Sequence, residues 1–230
     1  MPERPRKQEA VRVFIFGAGG LGREVLNVLR ASAAAGQRVT CCGFIVDPEF
    51  ATNSTLHGLR VHNGLSVLRD DRDSRIVVAL GDPSRRRAAV EKIKRVAGSR
   101  FVSAIHPAAT IGGEVKMDMG VMVLGPASIT TDASIGRHVV INPLVTVSHD
   151  CRLADYVTLA PAVALAGGVD VAEGAELGTG ANVIPRLTVG AWSIVGAGAA
   201  VIRSVNPNST VAGTPAREIA VRRPGWHDGK

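Results

Sequence analysis

Residues 105–147 read IHPAATIGGEVKMDMGVMVLGPASITTDASIGRHVVINPLVTV. Taken six at a time, the leading positions are Ile105, Ile111, Met117, Val123, Ile129, Ile135, Ile141 and Val147. The series continues without an insertion through Leu153, Leu159, Leu165, Val171, Leu177, Val183, Val189 and Val195 to Val201. Four residues after each comes a second series, from Ala109, Val115, Val121 and Ala127 through Cys151 to Val205, almost wholly small or β-branched. A period of six matches neither the 3.6 of an α-helix nor the 2 of a plain strand. It matches a coil of three short sides, each turning one large aliphatic inward, with a small residue where the chain changes direction. Stacked coils pair as parallel strands about 4.8 Å apart. This periodicity is the signature of a parallel β-helix, and a β-sandwich has no reason to keep it in register for so long.

Composition agrees. Aromatic residues are only 3% of the chain and glycines number 26, which suits coils too narrow for rings. At 230 residues the chain is long enough for two short domains, and the repeat fills the C-terminal one. The net charge of +7 reads either as a solvated basic surface with basic tails (Arg4, Arg6 and Lys7; Arg217, Arg222, Arg223 and Lys230) or as a preference for phosphate-bearing ligands. No basic–aromatic platform or nucleic-acid module is present, so nucleic acid is not an expected partner. Three cysteines give no disulfide framework: Cys151 falls in the small inward series, and Cys41 and Cys42 lie in an expected strand. No apolar run reaches about 18 residues, and MPERPRKQEA lacks a leader-like apolar segment, so the expectation is a cytoplasmic protein without membrane insertion.

Ahead of the repeat, Val11–Phe16 reads as a buried strand, Arg23–Ala35 as a helix stopped by Gly36, Arg38–Val46 as a second strand and Arg75–Leu80 as a third. Asp82 is placed to cap a basic helix over Ser84–Ala97, with Pro83 in its first turn. Strands alternating with helices predict a small Rossmann-like α/β domain with a parallel sheet. The expected division is 1–104 for this domain and 105–230 for the β-helix with its tail. After the last coil, Val211–Arg217 reads as turn-rich, and the remainder as a short helix or a frayed end.

Gly17-x-Gly19-x-x-Gly22 follows a strand and opens a helix, where glycines let backbone approach a phosphate at the free N–H groups of the helix start. Asp47 ends the next strand, where a ribose or base contact would lie. The unit is too short for the two halves of a dinucleotide fold, which favours a nucleotide sugar over NAD. A tight strand-to-helix turn with no ligand is the other reading.

Of six histidines, His149 stands out. It is two places after inward Val147, hence on the outside of the coil, and Asp150 beside it can raise its basicity, as a general base requires. A solvated surface histidine is the competing reading. The histidines show no clustered metal-ligand spacing, so no metal is expected. No Gly-x-Ser-x-Gly elbow is present, and covalent catalysis through inward Cys151 is not expected.

These residues carry a resemblance. GAGGLGRE at 17–24, GFIVD at 43–47, ALGDPSRR at 79–86, AIHPAATIG at 104–112, SHDC at 148–151 and VAGTPAR at 211–217 resemble the sialic acid O-acetyltransferase family of sugar acyltransferases. That family includes the UDP-amino-sugar N-acetyltransferases and GDP-perosamine N-acetyltransferase. The resemblance implies coils that wind left-handed and a homotrimer with an active site at each subunit interface. It implies His149 as general base with Asp150 as its acidic neighbour, and Asn142 facing the sugar. The nucleotide sugar would lie on Gly17, Gly19, Gly20 and Leu21, with Asp47, Gly81 and Asp82 nearby. Acetyl-CoA would run along the coils past Thr158, Gly167, Thr179 and Ala197. Family members often carry histidine where this chain has Leu21, and one subgroup carries it at Thr158. The expected reaction is acetyl transfer from acetyl-CoA to the amine of a nucleotide-linked amino sugar of the 4-amino-4,6-dideoxy type. Coil N–H groups would stabilise the oxyanion. O-acetylation of a sugar such as a sialic acid, and a non-catalytic nucleotide-sugar-binding trimer, are the alternatives.

Overall fold

The structure, a computed structural model, describes residues 9–50 and 55–228. Arg4, Arg6, Lys7 and Lys230 therefore lie outside the described residues. The chain opens with an α/β unit. Strand β1 (Val11–Phe16) leads to helix α1 (Gly20–Ala34), strand β2 (Val39–Val46), the short strands β3 (Thr55–Leu56) and β4 (Leu59–Asn63), helix α2 (Val67–Asp70), strand β5 (Arg75–Val78) and helix α3 (Pro83–Ala97). The sheet order is β3-β4-β2-β1-β5. Four of these strands are parallel neighbours, as the alternating pattern predicts, but β3 pairs antiparallel with β4. The sheet is mixed because a two-residue strand turning at His57–Gly58 is too short to leave a periodic signal.

The alternation of β1 fixes the layers. Val13 and Ile15 face α1 together with Val25, Val28 and Leu29, while Phe14 and Phe16 face α3 through Val90 and Ile93. The two faces thus form separate apolar clusters, one per helix. Helix α1 begins at Gly20 rather than Arg23, since the backbone turns helical inside the glycine run.

From Ala104 the chain winds as a β-helix. Its short strands form three sides. The first carries Ala104–Ile105, Met122–Val123, Val140–Ile141, Thr158–Leu159, Glu176–Leu177 and Ile194–Val195. The second runs from Thr110–Ile111 to Ala200–Val201, and the third from Lys116–Met117 to Thr188–Val189. Each strand is parallel to the next on its side, with pairings such as Ile129 with Val147 and Val147 with Leu165. The inward aliphatics from Val123 to Val201 are buried, each contributing roughly 1.5–3 kcal/mol. Those of the first coil are not: Ile105 and Met117 are half-buried and Ile111 is 39% exposed, because no coil lies beneath them.

The corners are made by backbone. Every sixth residue from Glu114 to Gly198, Pro126 excepted, has a positive φ in the left-handed region. None of them is β-branched, which is what that region excludes.

The α/β unit lies on the first side. Outward-facing Met122 and Val140 join the α1 cluster, and Tyr156 with Phe101 joins the α3 cluster. After the last coil, Ser209–Ala212 pairs antiparallel with Arg217–Val221, a hairpin where the sequence suggests only turns. The tail then folds back on α3: Ser84 donates its hydroxyl to the His227 carbonyl, Arg87 pairs with Asp228 at 2.5 Å, and the His227 ring stacks on Trp192 at 3.7 Å.

Candidate active site

The glycine loop divides into two kinds of glycine. Gly17 has φ +108°, and a Cβ there would lie 2.6 Å from the Ala79 carbonyl oxygen. A Cβ on Gly22 would lie 2.0 Å from the Gly17 carbonyl oxygen. Both are required by packing, ligand or none. Gly19 and Gly20 have nothing within 4 Å of an added Cβ. Gly19 is the N-cap of α1 and supplies no side-chain cap, so the first N–H groups of the helix are left for an anion.

In front of this loop is a cavity of about 730 Å³. Its walls are Phe16, Gly17, Ala18, Gly19, Val46, Asp47, Leu80, the face of α3 bearing Arg85, Ala88, Ala89 and Lys92, and Phe50 at 65% exposure. That size accommodates a nucleotide-sized ligand. Asp47 reaches it already paired, its Oδ1 2.5 Å from Lys92 Nζ. Gly20, Leu21, Gly81 and Asp82 do not line the cavity. Gly20 starts α1, and Leu21 packs against the α1 cluster. Asp82 caps α3 by accepting the Arg85 N–H at 2.8 Å, and the Gly81 carbonyl accepts from Arg86 and Thr158. Leu21, Gly81 and Asp82 thus make the contacts seen here in the protein interior or in helix capping.

On the coil, His149 stands at the corner between the second and third sides, 63% exposed. Its Nδ1 is 2.7 Å from Asp150 Oδ2. With Nδ1–H donating to that carboxylate, Nε2 is left to accept a proton. Asp150 holds the left-handed corner position (φ +61°), which suits aspartate better than most residues. Gly167, one coil further, lies against the ring: a Cβ there would sit 2.5 Å from His149 Cε1 and Nε2. Its lack of a side chain keeps the reactive edge of the imidazole open.

Asn142, Thr179 and Ala197 occupy a different corner, between the first and second sides. Thr179 and Ala197 are exposed there one coil apart, with Gly198 N–H donating to the Thr179 carbonyl at 2.8 Å. Asn142 uses its side-chain amide to donate to the Leu159 carbonyl at 2.8 Å, not to approach His149. Thr158 departs from expectation. It points outward on the first side, beneath the α/β unit, buried and bonded to Gly81 O at 3.0 Å and Arg86 Nη2 at 2.9 Å. It is closed to acetyl-CoA by the docked unit. Cys151 is internal, its thiol directed at the Ala166 carbonyl and its pKa pushed up by burial, which disfavours a thiolate nucleophile. Among the described residues no cluster of three or more His, Cys, Asp or Glu could hold a metal.

The α/β unit covers the first side, and His149 stands at the corner opposite that side. The cavity and the histidine of one chain are thus on opposite faces of the coil.

The PglD N-terminal domain matches residues 12–93. A GDP-perosamine N-acetyltransferase of Escherichia coli O157:H7 is 31% identical over 153 residues, covering 64% of this chain and 66% of that protein. A mutant of perosamine N-acetyltransferase from Caulobacter crescentus, solved in complex with CoA and GDP-perosamine, superposes with TM-score 0.82 at 39% identity over 90% of this chain and 96% of that one. The acetyltransferase domain of PglB from Neisseria gonorrhoeae, solved with acetyl coenzyme A, gives TM-score 0.80 at 28% identity over 91% and 100%. The chain belongs to this sugar acyltransferase family. The β-helix of the acyltransferase is accordingly the left-handed one, behind a small α/β unit.

Sequence reasoning missed most of the cavity walls of the acyltransferase, among them Phe50, Arg85 and Lys92. Arg85 and Lys92 are one helical face of α3, spaced seven apart with Ala88 and Ala89 between. That spacing was readable, but nothing in it said which face of the helix looks onto the glycine loop.

Proposed function

We propose that this acyltransferase moves acetyl from acetyl-CoA to the amino group of a nucleotide-linked amino sugar, with His149 as general base. Residues 1–104 would hold the nucleotide sugar and residues 105–230 the acetyl-CoA. The observation that carries the reading is the exposed His149–Asp150 pair with its Nε2 edge over Gly167. Relatives solved with CoA and GDP-perosamine support it. The sugar nitrogen attacks the thioester carbonyl, its proton passes to His149 Nε2, and the CoA thiolate leaves on collapse of the tetrahedral adduct. Asp150 takes the Nδ1–H hydrogen bond and so holds the ring with its Nε2 edge free for that proton. Both substrates meet directly, so no acyl-enzyme is required.

A nucleotide held in the cavity of one copy lies across the coil from that copy's His149. A second copy must therefore present its own His149 to the sugar. A homotrimer with cyclic symmetry makes each such site equivalent, and the Asn142, Thr179 and Ala197 corner of one copy would face the His149 and Gly167 corner of the next. Within the cavity, Gly19 and the α1 N-terminus would take phosphate, with Arg85 and Lys92 opposite as counter-charges and Phe50 as a flat surface for the base. No helix among the described residues is long and apolar enough to cross a membrane, which is compatible with work in the cytoplasm on a soluble nucleotide sugar.

The test is thiol release from acetyl-CoA with UDP- and GDP-linked 4-amino sugars, CMP-sialic acid and free sialic acid. Release with an amino sugar is the expected result. Release only with a sialic acid would reassign the enzyme to O-acetylation, and silence with no acetyl-CoA binding would leave a nucleotide-sugar-binding trimer.

A further inference from the structure

Among the described residues Arg86 is the largest fully buried polar side chain, and its placement is costly on three counts. It is 0% exposed. It lies in the first turn of α3, where a helix disfavours positive charge. Among the described residues no carboxylate is within ion-pair distance of it, so burial lowers its pKa to about 10, with Asp82 and Glu176 acting only from further away. It remains charged at neutral pH. What holds it is a set of oxygens from three separate places. Nη1 donates to the Leu80 and Gly81 carbonyls at 2.7 and 2.8 Å. Nε donates to the His138 carbonyl at 2.9 Å. Nη2 donates to the Tyr156 carbonyl at 2.6 Å and to Thr158 Oγ1 at 2.9 Å, and Thr158 in turn donates to Gly81 O at 3.0 Å.

These partners divide between the α/β unit and the coil. Leu80 lines the nucleotide cavity, and Arg85, the residue before Arg86, lines it from α3. His138 belongs to one coil, and Tyr156 and Thr158 to the next. The rest of the joint is apolar contact through Met122 and Val140, which is not directional, with two single-point ties: Ser32 donating its hydroxyl to the Ile105 carbonyl at 3.2 Å and Arg87 at 3.5 Å from Glu173. The planar guanidinium fork does not permit sliding, because its donors have fixed angles.

We propose that Arg86 is a positioning residue for the transfer: it fixes the cavity in one register on the coil and so sets where the sugar amine arrives relative to the neighbouring copy's His149. This rests on the acetyl transfer proposed above. Each half-site is built within one unit, so loosening the joint leaves both substrates bound while misaligning them. A misplacement of about 1 Å costs about a hundredfold in rate.

The experiment compares wild type with Arg86→Lys, which keeps the charge but not the fork, and with Thr158→Val, which removes one anchor. Calorimetry gives Kd for the nucleotide sugar and for acetyl-CoA, and kcat is normalised to the binding-competent fraction well below the melting temperature. The expected result for Arg86→Lys is a kcat about 10- to 100-fold lower with both Kd values within about twofold of wild type, and a smaller loss of the same kind for Thr158→Val. A purely structural role lowers the melting temperature and leaves kcat per folded site unchanged, which would overturn the proposal. So would a rise in the nucleotide-sugar Kd matching the loss of rate, since Arg86 would then serve local binding. Arg86→Met extends the series, and if it fails to fold the other two variants still decide. If the wild-type chain itself releases no thiol with any amino sugar, the proposed function falls and this inference falls with it, a result distinct from an active wild type with an equally active Arg86→Lys.

Discussion

The two halves of the proposed site are built on opposite principles. The coil corner bearing His149 is a member of a repeat: its backbone geometry is that of a dozen other corners, and only the side chains at 149, 150 and 167 set it apart. The cavity at the glycine loop belongs to no repeat. It arises where a strand end, a helix start and one face of α3 converge. A periodic scaffold fixes a residue's position almost from its number, whereas a convergent site depends on how separate elements dock. The corner should therefore respond to substitution sharply and locally, and the cavity more gradually.

The largest effect falls on the corner. His149→Ala removes the proposed proton acceptor, so kcat should drop about 10²- to 10⁴-fold with acetyl-CoA affinity nearly unchanged, as read by thiol release and calorimetry. Retained turnover would break the distinction drawn here.

Next in size is an effect on the joint between the two halves. His138 is buried between Phe101 and Tyr156, both ring nitrogens lack a hydrogen-bond partner, and a Cβ on Gly120 would strike its ring. Burial first, and then the charge of Arg86, lowers its pKa to about 4. The unfolded chain takes up this proton near pH 6.5 and the folded chain only near 4. Stability is thus intact above 6.5 and is lost as pH falls through that window, by about 3 kcal/mol at most. Denaturant melts between pH 7 and 4 should show this slope, and His138→Leu should flatten it.

Gly167→Ala comes third. The added methyl displaces an exposed ring, so kcat should fall about tenfold with little change in melting temperature. Smallest is Lys92→Ala in the cavity. It frees Asp47 and removes one cation of two, raising KM for the nucleotide sugar several-fold while kcat and KM for acetyl-CoA stay put, because an exposed ion pair is worth only about 0–1 kcal/mol.

Legibility followed the same division. The six-residue period located the inward aliphatics, the outward His149 and its carboxylate neighbour. It could not say which side of the coil would be covered. That is why Thr158, which the resemblance places along acetyl-CoA, is buried under the α/β unit in the structure. Only the 18-residue register, together with the docking of the α/β unit, separates the Thr158 column from the Gly167 column. The glycine motif was legible as a turn, yet half of its glycines answer to packing against Ala79 and Gly17. The cap that Asp82 places on α3 was legible in the sequence, whereas the Gly81 carbonyl's bond to Arg86 was not. Arg86 itself was one arginine in a basic run, and its burial has no signature short of the folded chain.

The central claim is that the cavity of one copy is served by the histidine of another. Two separately inactive variants test it: His149→Ala, which keeps the cavity, and Gly19→Trp, which fills it at a position with open space for a side chain. Co-expressed in equal amounts, they should assemble mixed trimers with roughly one quarter of wild-type activity, since about one interface in four pairs an intact cavity with an intact histidine. Mixed trimers as inactive as either parent would contradict the account, because cavity and histidine would then have to belong to the same chain.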